Sequence, residues 1–204
     1  MAWNTERTKE LLLAAATEEF SAKGLAGARV DRIAAAAGVN KERIYQYFGK
    51  KDELFDAVLA AEMVRVMTEV PITGSGPAAF GEYAGRLFDR HTTDGVLPRL
   101  LFWEGLERGG DTVSRATRSD HCAIKVGQVL DVLPGIDRTD AADLLITVIT
   151  LCDGWPVLPQ IDTLLAGSSA DRTTRRRAFI VRTATLLAEA LAAEAKPAPE
   201  AALN

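Results

Sequence analysis

Apolar residues recur three and four positions apart from the start of the chain, with Leu12, Leu13, Ala16 and Phe20 sharing one face of a pattern from about Glu6 to Lys23. A period near 3.6 marks a helix half-sunk in a core, and Thr5 before it and Gly24 after it suit a cap and a stop. Two short elements follow: Val30 to Ala37, ended by Gly38, then Lys41 to Phe48, with Asn40 as N-cap and Gly49 as stop. A longer helix is expected from about Asp52 to Val70, acidic in its first turn and ended by Pro71. Breakers fill residues 71–77, after which Phe80, Tyr83, Ala84, Leu87, Phe88 and His91 draw a full amphipathic stripe. Further helices are expected at about 95–107, 112–133, 139–158 and 172–195, while runs with the period of a strand are missing. The pattern predicts an all-α protein without internal repeats. From Lys196 onward there are two prolines and no stripe, so 196–204 reads as a disordered tail.

Composition narrows the class. With 204 residues, 48% of them hydrophobic, the chain can bury enough surface to fold, which excludes a disordered protein. No apolar run approaches the roughly 18 residues of a membrane span, and the N-terminus lacks the basic-then-apolar order of a secretory signal. The expectation is a cytoplasmic protein with no membrane partner. Cys122 and Cys152 cannot build a disulfide framework and read as small buried apolar residues. The net charge of −4 hides two unlike parts: residues 1–51 hold nine Lys or Arg against six Asp or Glu, whereas 52–204 hold 15 against 22. A basic end on an acidic body points only the first fifty residues at an anionic partner.

The chemistry concentrates in residues 41–48. At about 100° per residue, Ile44 and Phe48 fall on one side of this helix, and Glu42, Arg43, Gln46 and Tyr47 spread over the other. A helix so short must be docked by its apolar side. Its outward Lys41, Arg43, Gln46 and two tyrosines suit a duplex: Arg grips guanine, Gln suits adenine, and ammonium or phenol groups reach phosphates. Two short helices joined by a tight Gly turn make a helix-turn-helix, whose second member enters the major groove. The competing reading is a solvated surface of an ordinary helical protein.

Leu12 to Ala16, Phe20 to Gly24, Val30 to Ala34, Ala37 to Asn40, Ile44 to Phe48 and Lys51 to Phe55 together resemble the N-terminal domain of TetR/AcrR-type transcriptional regulators, over about residues 5–60. The resemblance implies a three-helix DNA-binding domain, here 1–51, followed by an effector-binding and dimerisation bundle, here 52–195, with 52–70 as connecting helix. It implies base contacts from Lys41, Glu42, Arg43 and Tyr45, and phosphate contacts from Gln46, Tyr47 and Lys51. The chain departs from the family at Ala28 and Arg29, where small hydroxyl residues usually cap the second helix; Arg29 becomes a candidate for direct backbone contact. It departs again at Glu42 and Arg43, so operator preference does not carry over.

For the larger bundle, the resemblance implies a small-molecule effector, apolar or aromatic, and a homodimer. Candidate pocket residues are Met63, Met67, Phe80, Tyr83, Phe88, His91, Phe102, Trp103 and Trp155; ordinary core packing is the alternative for each. The last two helices offer apolar faces for a partner copy, with Leu144, Val148, Leu151, Phe179, Leu187 and Leu191 as candidate contacts and an internal core as the alternative. The Arg172 to Arg177 cluster reads as a solvated first turn. Catalysis is not expected. Two histidines without HExxH, CxxC or a Gly-rich phosphate loop give no metal or cofactor site, and His121 and Cys122, adjacent on a helix, point about 100° apart. The function implied is a ligand-responsive repressor on palindromic double-stranded operator DNA. The alternative is a ligand-binding bundle or scaffold without DNA activity.

Overall fold

The computed structural model describes residues 5–110 and 115–195, and among these every regular element is a helix. The expected tail lies outside the described residues. In order the helices are α1 (Thr5–Gly27), α2 (Val30–Ala36), α3 (Glu42–Phe48), α4 (Lys51–Glu69), α5 (Gly76–Thr93), α6 (Val96–Arg108), α7 (Arg115–Val132), α8 (Arg138–Val157), α9 (Pro159–Ala166) and α10 (Arg172–Glu194). Two compact units result: residues 1–66 with 94–119, and 67–93 with 120–204. Packing rather than chain order draws them, so the expected division at residue 51 does not follow the compact units: α6 and most of α4 belong with α1 to α3.

The first unit is built around α1. Leu12, Ala16 and Phe20 are buried, and the Phe20 ring meets Phe55 of α4 edge to face at 5.2 Å. The helix breaks at Gly24 (φ 70°, ψ 178°), where the sequence placed its stop. Glycine is required there twice over. The positive φ strains any other residue, and a Cβ would lie within 3 Å of the Trp103 ring and the Glu107 carboxylate of α6. Glu107 accepts a hydrogen bond from the Ala26 amide at 2.8 Å, and Trp103 donates its indole N–H to the Ser21 carbonyl at 3.3 Å. Arg108 ends α6 by pairing with buried Asp56 and lying over the Phe55 ring.

In the second unit the stripe of α5 is buried throughout: Phe80, Tyr83, Ala84, Leu87, Phe88 and His91 all face the core. Gly81 and Gly85 let α10 approach closely; a Cβ on Gly81 would meet the Thr185 hydroxyl at 2.0 Å and the Val181 carbonyl at 3.0 Å. Asp137 caps α8, accepting from the Thr139 and Asp140 amides at 2.7 and 2.8 Å. The sequence pattern gave no sign of α9, which begins on Pro159 immediately after α8. Cys152 is buried as expected, but Cys122 is exposed, because its position on α7 faces away from the core.

Candidate nucleic-acid interface

The geometry of α2 and α3 follows from a few local bonds. Glu19 of α1 occupies the place of the missing hydroxyl cap, accepting from the Arg29 amide at 3.0 Å and from the Arg32 guanidinium. Burial penalises its charge, yet the Arg32 and Arg29 hydrogen bonds outweigh that and hold Glu19 below the ordinary carboxylate range. The turn closes through Gly38 (φ +67°) and a Val39 amide bond to the Ala34 carbonyl at 3.0 Å. Asn40 then accepts from the Glu42 amide at 3.4 Å, a long bond, while its carbonyl takes the Arg43 amide at 3.0 Å.

On α3, Ile44 is fully buried and Phe48 half-buried, so one strong anchor and one partial anchor hold the helix. Lys41, Glu42, Arg43, Tyr45 and Gln46 are exposed together. Arg43 donates to Gln46 Oε1 at 2.9 Å and to the Tyr47 hydroxyl at 3.4 Å, which orders three of the expected contact groups on one surface before any ligand arrives. Lys41 pairs with Asp31 at 3.4 Å, both well exposed, so a phosphate can compete for it. The Arg29 side chain is exposed. Lys51 is half-buried and donates to the Ala28 carbonyl at 3.3 Å; it ties α4 to the start of α2 with the remaining ammonium protons available.

These observations meet the comparisons with known proteins. Residues 12–58 match the family described as bacterial regulatory proteins, tetR family, and residues 80–185 match the tetracyclin repressor-like C-terminal domain. The chain belongs to the TetR family. The HTH-type transcriptional repressor SCO4008 of Streptomyces coelicolor is 39% identical over 183 residues, covering 88% of this chain and 94% of that protein. NicS, an HTH-type transcriptional repressor of Pseudomonas putida, is 41% identical over 148 residues, 70% of this chain and 68% of its own length. Among solved structures, that of the Streptomyces coelicolor regulator SCO4942 is 30% identical with a TM-score of 0.67, covering 88% of this chain and 97% of that one. This TetR-family chain is thus a DNA-binding transcriptional regulator, of a family of regulators and not of enzymes.

The candidate pocket residues divide between the units. Met63, Phe102 and Trp103 belong to the first, where Trp103 packs α6 on α1 rather than joining the aromatic set of α5. Met67, Phe80, Tyr83, Phe88, His91 and Trp155 belong to the second. There Phe80 and Tyr83 lie 5.7 Å apart, and Phe88 meets Trp155 at 5.4 Å. His91 Nδ1 sits 2.8 Å from Asp153 Oδ1, both buried, in an orientation off the hydrogen-bond direction, and its Nε2 is buried without a partner among the described residues. Two groups escaped the sequence reading. Asp153 follows Cys152 in an apolar run, and Lys125 is buried, donating to the Val70 carbonyl at 2.7 Å beneath the Tyr83 ring. Burial, then the like charge of Arg86, lowers Lys125 to about 8; burial pushes the Cys152 thiol up to about 12 and raises Tyr83.

The candidate dimer contacts need correction. Leu144 and Val148 are 3% and 0% exposed, because that side of α8 packs into its own unit. Ile146, two positions on, is 57% exposed instead. Phe179 and Leu187 of α10 are exposed, and Leu151 and Leu191 are half-buried. Helical period alone left open whether the apolar face of α8 served an internal core or a partner copy.

Proposed function

We propose that this TetR-family regulator is a repressor that binds a palindromic operator as a homodimer and is released by a small apolar or aromatic effector. The observation that carries the DNA half of this reading is the Arg43–Gln46–Tyr47 cluster on α3, with Arg43 and Gln46 exposed and Tyr47 half-buried, pre-ordered by its own hydrogen bonds and seated by Ile44. Lys41, Glu42, Arg43 and Tyr45 reach base edges, and Arg29, Gln46, Tyr47 and Lys51 hold the backbone. Two copies present their α3 helices to half-sites ~34 Å apart or a multiple of it. The exposed Ile146, Phe179 and Leu187 supply apolar area for the seam between copies.

The effector half rests on the second unit, whose interior combines the rings of Phe80, Tyr83, Phe88 and Trp155 with the polar His91, Asp153 and Lys125. An effector that binds one arrangement of the dimer better than the other shifts operator affinity by that difference. With duplex DNA as its partner, the protein works in the cytoplasm.

The test is a titration of the purified protein on its own promoter and on random duplex at several salt concentrations. A salt-sensitive preference for the promoter is expected, with Arg43→Ala losing about 1–3 kcal/mol, roughly 5- to 150-fold, at the base it contacts. Equal binding to both duplexes, unmoved by Arg43→Ala, leaves a ligand-binding bundle without DNA activity.

A further inference from the structure

Helix α10 opens with Arg172, Arg175, Arg176 and Arg177, and the expectation of a solvated first turn holds only for Arg175. The other three are half-buried, and a guanidinium drawn out of water needs an anion or a full set of acceptors. Two of them have an anion. Arg177 Nε lies 3.0 and 2.8 Å from the two carboxylate oxygens of Asp89, and Arg172 pairs with Asp162. Arg176 donates to the Leu151 carbonyl at 3.4 Å, a long bond to a neutral group, and no carboxylate pairs with it among the described residues. The Cys152 thiol, which its charge reaches, is pushed up to about 12 by burial and stays neutral.

This unmatched guanidinium lines a cleft of about 280 Å³ between α8, α9 and the start of α10. Leu151, Leu158, Ile161 and Leu165 form aliphatic walls, and Arg172 lies there 5.3 Å over the Trp155 ring. Asp162 answers Arg172, so the charge left over in the cleft is that of Arg176. A neutral apolar ligand leaves that charge uncompensated, and a cation adds to it. A bare inorganic anion satisfies the charge but leaves the aliphatic walls wet. We propose that the cleft binds a small amphipathic monocarboxylate, whose carboxylate takes charge-assisted hydrogen bonds from Arg176 and whose hydrocarbon tail lies on Leu158, Ile161 and Leu165. The site differs from the aromatic interior assigned to the effector and meets it at Trp155, whose ring also contacts Phe88 at 5.4 Å. It stands whether or not that interior releases the operator.

The experiment is isothermal titration of the full chain with sodium octanoate, octanamide and sodium acetate, which separate tail with charge, tail alone and charge alone. Octanoate should bind with a dissociation constant about tenfold or more below those of the other two. Arg176→Gln keeps a polar side chain without the charge, and should erase the preference for the acid over the amide. Leu165 is 84% exposed, so Leu165→Glu should leave circular dichroism and melting unchanged while its carboxylate repels the ligand. Octanoate affinity should fall about tenfold in that variant, which decides the matter even if Arg176→Gln does not fold. Octanoate binding no tighter than octanamide or acetate overturns the proposal. So does octanoate binding that Leu165→Glu and a folded Arg176→Gln leave unchanged, since the acid then sits elsewhere in the protein.

Discussion

The two units treat buried charge differently. In the first, Asp56 is met by Arg108, and Glu104 takes both arms of Arg118 at 2.5 and 2.9 Å. In the second, Lys125 is buried against a neutral carbonyl and a ring, and His91 and Asp153 lie close but misaligned, with an imidazole nitrogen unpartnered. Desolvating a charge is costly, and only a well-placed opposite charge or a full set of hydrogen bonds offsets it. The unit that must hold α3 at a fixed angle sets each of these buried carboxylates against a guanidinium, although Asp56 Oδ2 and Arg118 Nε stay without a partner among the described residues. The unit read as the sensor retains polar atoms that a ligand can satisfy.

The largest effect should come from opening a matched pair. Arg108→Ala removes the partner of Asp56 together with the cation over Phe55, and leaves a buried carboxylate uncompensated. Denaturant unfolding should report a loss of about 3–5 kcal/mol, with operator binding weakened in proportion to the unfolded fraction. Restoring much of that stability with a second change, Asp56→Leu, would show that the cost lay in the stranded charge. A loss below about 1 kcal/mol would erase the contrast between the units.

The second unit should respond with the opposite sign. Lys125 is lowered to about 8 in the folded chain, against the ordinary lysine value of about 10.4 in the unfolded one. Below pH 8 both states hold the proton, and the folded state carries the whole penalty. Between about 8 and 10.4 the unfolded state holds more protons, so this group makes stability rise with pH by on the order of 3 kcal/mol at most. Burial of the Cys152 thiol and of the Tyr83 phenol makes stability fall as pH rises above about 9 and about 10 respectively, so the wild-type curve alone mixes all three groups. The difference between wild type and Lys125→Met isolates the lysine. It should grow in favour of wild type from pH 8 to 10.4, and a difference independent of pH refutes the buried-charge reading.

The same contrast explains what was legible beforehand. Leu12, Phe20 and the α5 stripe announced themselves by period, and Gly24, Gly38 and Gly49 marked their turns because positive φ leaves a compositional trace. The outward residues of α3 could be read because a docked short helix has one face left. Glu19 as the substitute cap could not, since it sits ten residues before the amide it accepts from. Asp153 and Lys125 lie in apolar runs, where a single charged residue gives no sign of pointing inward. On α8 the apolar face of Leu144 and Val148 packs into its own unit, and a helical period gives the same pattern for an internal core as for a seam between copies. Exposed leucines hid α9, because its composition is that of a core helix and no periodic polar side marked it.

Lys51 tests whether the first unit's polarity is spent entirely on its own structure. The side chain already donates to Ala28, and a lysine confined to that task would contribute only one net hydrogen bond, on the order of 1 kcal/mol of stability. If its other protons meet a phosphate, Lys51→Ala weakens binding to operator and to random duplex alike, and lowers the slope of log affinity against log salt by about 1. Arg43→Ala, by contrast, should change the preference among sequences. A Lys51→Ala protein that melts slightly earlier yet keeps the full salt slope would confine this residue to tying α4 to the start of α2, leaving the backbone contacts to Arg29, Gln46 and Tyr47.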